Sequence, residues 1–310
     1  MSRSVAFTAS FSCALALLWS SAAASQGVAD AERHYDARID YNAAFISSQR
    51  VLPPQTNKPF AANLEEASVE ADAATGAVSA LTSQSGYLTD QASGTPLTLA
   101  MNFVRSNLTA LGLEAADLQG YAVTDVVYSK VTGATHVYLQ QRYRGIPVYN
   151  AQLHINVNRD GRVISVNNSF LPGIARAVSS LSPRMQLPAA VGSAAQFSGI
   201  AAPAQLKALQ APSGVQQETS VPQAGLSLKP ISGKLMLLPI RQGEARLVWN
   251  FQIHTLDEEH SWDYTVDANT GQVWRASTGS PATSTACTAT RPKVRTIRAR
   301  CRPRTAASWS

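Results

Sequence analysis

The sequence predicts an α+β fold: an antiparallel sheet with one packed helix, followed by a second small α+β domain. Three observations carry that reading. Between Thr135 and Phe170, apolar and polar residues alternate in three runs, the period of half-buried strands. Between Thr95 and Gly112, apolar residues recur every three or four positions, the period of a helix with one buried face. Between Lys234 and Ala276, four more strand-like runs follow one another with short turns between them.

The chain opens with the pattern of a signal peptide over residues 1–24. Arg3 is a short positive region, Val5 to Trp19 is apolar, and Ala22-Ala23-Ala24 offers small residues for cleavage after Ala24. That apolar run is short for a bilayer span of about 20 residues, and no other stretch is long enough to cross. The expected product is secreted, with no stable membrane span once the signal is removed. Residues 25–71 read as an extended N-terminal arm containing Pro53-Pro54 and Pro59, with an Ala- and Glu-rich segment from Leu64 suited to a short helix. Asp72 to Gly76 reads as a turn, and Ala77 to Leu81 as a strand.

The clearest helix starts at Thr95, a capping residue, with Pro96 in the first turn, and stops at Gly112. Its stripe of Leu97, Met101, Val104, Leu108 and Leu111 suits one exposed face of the sheet. Tyr121 to Lys130 adds a strand. In the hairpin that follows, Asp160-Gly161 predicts a two-residue type I′ turn, which places Val157 opposite Ile164 and Ile155 opposite Val166. The link from Tyr143 to Tyr149 reads as a looser turn that holds Gly145 and Pro147 out of the ladder.

The run His136-Val137-Tyr138, Gly145-Ile146-Pro147-Val148, Asn150-Ala151, Ile155-Asn156-Val157, Asp160-Gly161-Arg162-Val163 and Asn168-Ser169-Phe170 resembles the fungalysin/thermolysin propeptide (FTP) domain. Its order and spacing look most like the pro-region of bacterial fungalysin-type secreted zinc metallopeptidases, over residues 72–173. His34-Tyr35-Asp36-Ala37-Arg38 looks like the start of such precursors. The resemblance implies a domain that helps a peptidase fold and blocks it until removed. It marks His136, Tyr138, Gly145, Asn150, Asn156, Asp160, Gly161, Asn168, Ser169 and Phe170 as motif positions, structural or facing a partner.

Residues 174–225 read as a linker, with helix-like composition at Ala189 to Phe197 weakened by Gly192. Residues 226–277 resemble the PepSY-like second half of such pro-regions. The resemblance rests on Leu247-Val248-Trp249 and on Tyr264-Thr265-Val266-Asp267-Ala268-Asn269-Thr270-Gly271-Gln272-Val273, where Asn269-Thr270-Gly271 forms a tight turn. Residues 278–310 lose all periodicity and read as a basic disordered tail. The abrupt change there suggests a truncated or frame-shifted reading of a longer precursor, because in full-length relatives the catalytic domain follows at this point.

Charge excludes one class of function. The net charge of +6 is outweighed by seven basic residues between Arg291 and Arg304, so the remainder is near neutral. A nucleic-acid surface needs positive charge spread over a folded face, so no nucleic acid is expected as a partner. Cys287 and Cys301 also lie in the tail, and Cys13 lies in the signal region.

The chain lacks its own hydrolytic machinery. Zinc peptidases of the resembled kind need H-E-x-x-H, in which two histidines one helical turn apart hold the metal and the glutamate deprotonates its water. The five histidines precede Tyr35, Val137, Ile155, Thr255 and Ser261, never glutamate. No Gly-x-Ser-x-Gly elbow or phosphate-binding glycine loop occurs. His254 to His260 reads as a solvated hairpin loop, and His136 with His154 as sheet-surface residues without a third ligand. The expectation is therefore a non-enzymatic pro-region with no catalytic residue, metal ligand or cofactor of its own. The zinc would belong to the catalytic domain of full-length relatives, and that metallopeptidase domain, in cis or in trans, would be the partner. A free-standing secreted binding module or protease inhibitor is the alternative.

Overall fold

The computed structural model describes residues 35–41, 67–71, 78–83, 86–203, 205–258 and 260–279. The signal-peptide reading with cleavage at Ala24, most of the arm, the three cysteines and all of the basic tail beyond Gly279 lie outside the described residues. The strands are β1 (Tyr35–Asp36), β2 (Ala67–Ala71), β3 (Val78–Ser83), β4 (Ala122–Tyr128), β5 (Thr135–Tyr143), β6 (Ile146–Val157) and β7 (Val163–Asn168). They continue as β8 (Thr219–Val221), β9 (Ile231–Arg241), β10 (Glu244–His254), β11 (Ser261–Asp267) and β12 (Val273–Gly279). The helices are α1 (Pro96–Ser106), α2 (Ile174–Ala177) and α3 (Leu187–Phe197).

All twelve strands join one continuous sheet, and β6 is the joint. Its later residues pair antiparallel with β5 and β7, while Val148 near its start pairs parallel with Leu237 of β9. The burial pattern of β6 shows how one strand serves both halves. Ile146, Pro147 and Val148 are buried in succession at the start of the strand, whereas from Ala151 onward burial falls on the odd positions Ala151, Leu153, Ile155 and Val157. The regular alternation begins only after exposed Asn150, whose φ of 54° puts it in the left-handed region that asparagine tolerates better than most residues.

Each half has its own core. The first gathers α1 residues Ala100, Met101, Phe103 and Val104 against Val137, Leu139, Leu153, Ile155, Val166 and Phe170. Thr95 caps α1 by accepting from the Thr98 N–H at 3.2 Å. The helix ends at Ser106 rather than reaching Gly112: the Asn107 side chain donates to the Phe103 carbonyl at 2.8 Å, and turns carry Leu108 and Leu111 on into the core.

The second core lies beneath α3, in the segment expected as a linker. Leu187, Ala190, Val191, Ala194 and Ala195 are almost fully buried against Trp249, Phe251, Tyr264 and Val266. Four alanines and a glycine give that helix little visible amphipathic contrast, which hides its buried stripe in the sequence. The segment before it is tied down as well. Trp249 Nε1 donates to the Met185 carbonyl at 3.0 Å, and the backbone N–H groups of Arg184 and Met185 donate to the Ala268 carbonyl. Thr219–Val221 then adds β8 to β9.

Several local expectations are corrected. The two-residue turn sits at Arg144-Gly145, both with positive φ (49° and 85°), closing Tyr143 onto Ile146. Pro147 therefore lies in the ladder opposite Arg142, beside a bulge between Gln140 and Arg142 that absorbs its missing N–H. At Asp160-Gly161 the loop is longer, because Asn158 Oδ1 accepts from the N–H groups of Asp160 and Arg162 at 2.9 and 2.8 Å. A bulge after Asn156 then sets Val157 opposite Val163, not Ile164, while Ile155 does face Val166. The Ala- and Glu-rich segment forms strand β2 rather than a short helix, paired along β3.

The arm also touches the sheet. Tyr35–Asp36 pairs with Ala276 and Arg275 on β12, and residues 37–41 form a helical turn. Ala37 and Tyr41 pack with Tyr149 and Met236 on a small third cluster of Leu238, Ile240, Val248 and Trp274. The second half is thus covered on both faces.

Candidate functional site

Among the described residues, the strands that carry the motif positions leave one face of the first half without a helix. On β5 and β6 the buried residues Val137, Leu139, Leu153 and Ile155 alternate with half-buried His136, Tyr138, His154 and Asn156. Pairing sets His136 opposite Asn156 and Tyr138 opposite His154, so these four side chains share one patch. The His154 ring stacks on Tyr138 with centroids 4.3 Å apart and planes 7° apart. His136 Nδ1 lies 2.5 Å from Asn156 Oδ1 and 3.4 Å from His154 Nε2. Asn156 Nδ2 in turn donates to Ser165 Oγ at 2.7 Å, which turns the amide oxygen toward the imidazoles. Burial and the neighbouring His136 hold the His154 imidazole below its ordinary range.

Other motif positions act through the backbone. Gly145 and Asn150 supply positive φ at the turn and at the kink of β6. Gly161 has φ 76°, and an added Cβ would stand 1.9 Å from the Ala92 carbonyl oxygen, so both conformation and contact demand glycine. Asn168, 2% exposed, donates to the Val78 carbonyl and accepts from the Phe170 N–H. Phe170 is core, whereas Asp160 and Ser169 are exposed. The structure therefore brings His136, Tyr138 and Asn156 together, uses Gly145, Asn150, Gly161, Asn168 and Phe170 as scaffold, and leaves Asp160 and Ser169 at the surface.

Two polar arrangements give the sequence no obvious signal. Gln140 Nε2 reaches the carbonyls of Val148 and Ala151 at 2.6 and 2.9 Å. Across the other half, Tyr149 donates to Asp263 at 2.7 Å, Asn250 donates to the same carboxylate, and Asp36 pairs with Arg38 and Arg275. Burial is the main influence raising Asp263 above its ordinary carboxylate range. The Asp-Ala-Asn-Thr-Gly run closes on itself: Asp267 Oδ1 accepts from the N–H groups of Asn269 and Thr270, and Oδ2 accepts from Trp274 Nε1.

The exposed edge β4 carries Val123, Val126, Val127 and Tyr128, each at least 42% exposed, with Val131 beyond it at 97%. Among the described residues β4 pairs only with β5. Also among the described residues, no three His, Cys, Asp or Glu side chains form a group able to hold a metal, and no helix is long and apolar enough to cross a membrane.

A kinked strand shared between the two helix-backed halves of one antiparallel sheet defines a tandem sheet module. Family comparison identifies its parts. Residues 119–170 match the Fungalysin/Thermolysin Propeptide Motif, and residues 220–275 match the Peptidase propeptide and YPEB domain (PepSY). Two separate stretches of the chain thus resemble peptidase-propeptide sequences, one after the other. The chain is 27% identical over 168 residues to extracellular metalloproteinase mep of Aspergillus fumigatus, covering 49% of this chain and 24% of that protein. It is 42% identical over 53 residues to extracellular metalloproteinase 10 of Coccidioides posadasii, covering 17% of this chain and 8% of that protein. The chain therefore spans a quarter or less of these relatives. The Bacillus megaterium YpeB C-terminal domain aligns over 64% of this chain at 10% identity with a TM-score of 0.30.

Proposed function

We propose that this chain is the pro-region of a secreted fungalysin-like zinc metallopeptidase, acting as an intramolecular chaperone and inhibitor of the peptidase domain. The observation that carries the reading is the tandem of an FTP match and a PepSY match in a chain whose relatives are extracellular metalloproteinases. We place the FTP-like domain at residues 72–173. The second domain, expected at 226–277, takes α3 as its cover.

The fold suits both tasks. A preformed sheet with a free edge gives a folding partner a template of backbone donors and acceptors. β4 offers that edge together with exposed valines, and the face bearing His136, Tyr138, His154 and Asn156, opposite α1, adjoins it through β5. The zinc of the reaction would sit in the peptidase, and the pro-region needs no cofactor to occlude a cleft.

The test is to refold a separately produced fungalysin-type catalytic domain with and without this chain, then to assay casein hydrolysis. The expected result is a higher yield of folded peptidase and inhibition that persists until the pro-region is degraded. Inhibition without any gain in refolding identifies a free-standing inhibitor instead. Absence of both effects defeats the proposal.

A further inference from the structure

We propose that His136, His154 and Asn156 form a binding site for a divalent transition-metal ion of the zinc type, on the face of the first half of the sheet opposite α1. Three donor atoms converge there from two neighbouring strands. His136 Nδ1 lies 3.4 Å from His154 Nε2 and 2.5 Å from Asn156 Oδ1. Tetrahedral zinc, with bonds of about 2.0 to 2.1 Å to imidazole nitrogen, separates its donor atoms by about 3.3 Å. The two nitrogens are already spaced as such an ion requires. The amide oxygen needs to withdraw from His136 by less than about 1 Å to meet the same spacing.

Because the Asn156 amide N–H is committed to Ser165, its Oδ1 can only accept, so His136 Nδ1 carries the proton of that contact and His154 Nε2 presents its lone pair to the gap. A metal ion would take the place of that single proton, with the His136 proton moving to Nε2. Neutral imidazole is the commonest metal ligand in proteins. The site is also braced. Tyr138 stacks flat against His154, and Ser165 accepts the Asn156 N–H, so two of the three donors are held by neighbours in the way that ligand-orienting contacts operate. The histidine pair by itself lacks a third ligand, and cross-strand register supplies one from asparagine, a residue type seldom counted among metal ligands. All three residues are half-buried, which leaves a fourth position toward solvent.

The proposal is independent of the propeptide reading, and its test uses the isolated chain. Untagged protein carrying Cys287→Ser and Cys301→Ser is stripped of metal and titrated with Zn²⁺ against a chromophoric chelator. One equivalent of zinc is expected at this site. It should be lost in His136→Gln and in His154→Gln and weakened about tenfold or more in Ser165→Ala, where the brace alone is removed. Should a variant misfold, ring-proton NMR of the unmutated pair during the titration gives the reading instead: the His136 and His154 signals should shift together. Absence of binding, binding unchanged in both histidine variants, or movement confined to His34, His254 and His260 overturns the assignment.

Discussion

The side chain of Gln140 straddles the kink at Asn150, donating to the carbonyl oxygens of Val148 before it and Ala151 after it at 2.6 and 2.9 Å. Those carbonyls flank the point where the regular alternation of β6 begins, so one amide holds the strand in the shape that serves both halves of the sheet. Gln140→Ala leaves both acceptors poorly served and is expected to cost about 1–3 kcal/mol. Asn150→Val forces a β-branched residue into left-handed space at about 1–2 kcal/mol, whereas Asn150→Gly is tolerated. Urea unfolding followed by tryptophan fluorescence checks all three variants.

Gly161 and Gly243 separate conformation from contact. Both have positive φ, at 76° and 73°, but a Cβ at Gly243 meets nothing within 4 Å while one at Gly161 collides with the Ala92 carbonyl. Gly243→Ala is expected to cost about 1–2 kcal/mol. Gly161→Ala should cost about 1–3 kcal/mol more, because the helix-side loop must move. Equal losses in paired denaturation curves would show that the Ala92 contact is slack.

Leu187 tests whether residues 174–225 are a connector or a wall. The side chain is fully buried at the start of α3. Leu187→Ala should cost about 2–5 kcal/mol, the range for a core leucine. A change below 0.5 kcal/mol, the usual size at a surface position, would return the helix to the status of a linker.

Asp36 makes part of the stability pH-dependent. Burial raises its carboxyl, but the hydrogen bond and charge of Arg38, with the charge of Arg275, outweigh burial and hold it below the ordinary 3.8. The unfolded chain therefore takes up this proton first. The contribution is complete above 3.8 and disappears as pH falls through the lowered value. Denaturation midpoints of Asp36→Asn should flatten along that acid limb relative to the parent. Asp263 works in the opposite direction, since its raised carboxyl favours the folded state below 3.8 and loses that contribution as pH rises through the folded value.

Val127 probes the edge. It is 42% exposed and lies opposite His136. Val127→Lys should change stability by no more than about 0.5 kcal/mol. It should weaken inhibition of the catalytic domain tenfold or more, read as a shift in the inhibition curve. An unchanged curve removes β4 from the contact surface.

Strand positions, the Thr95 cap and the Asp267 turn were legible because each rests on local rules of alternation, capping and turn chemistry. The errors share a different cause. The Asp160-Gly161 pair suggested the tight turn, but Asn158, two residues earlier, lengthened the loop with its side chain. Arg144-Gly145 took the tight turn although arginine gives no hint of positive φ. A helix near Ala189 to Phe197 was legible, but its role as a cover was not, because alanines bury efficiently without alternating sharply with polar residues. The histidine patch depended on cross-strand register. Spacing along the chain separates His136 from Asn156 by a whole hairpin, and only pairing makes them neighbours.

The shared strand has a consequence for clearance. With β6 threaded through both ladders, neither domain has a private boundary at which it can come away intact. One proteolytic nick beside Asn150 would unravel the whole module at a stroke. A cut in the stretch between α3 and β8 would spare that seam, so turnover should be all-or-none, with no long-lived half-molecule.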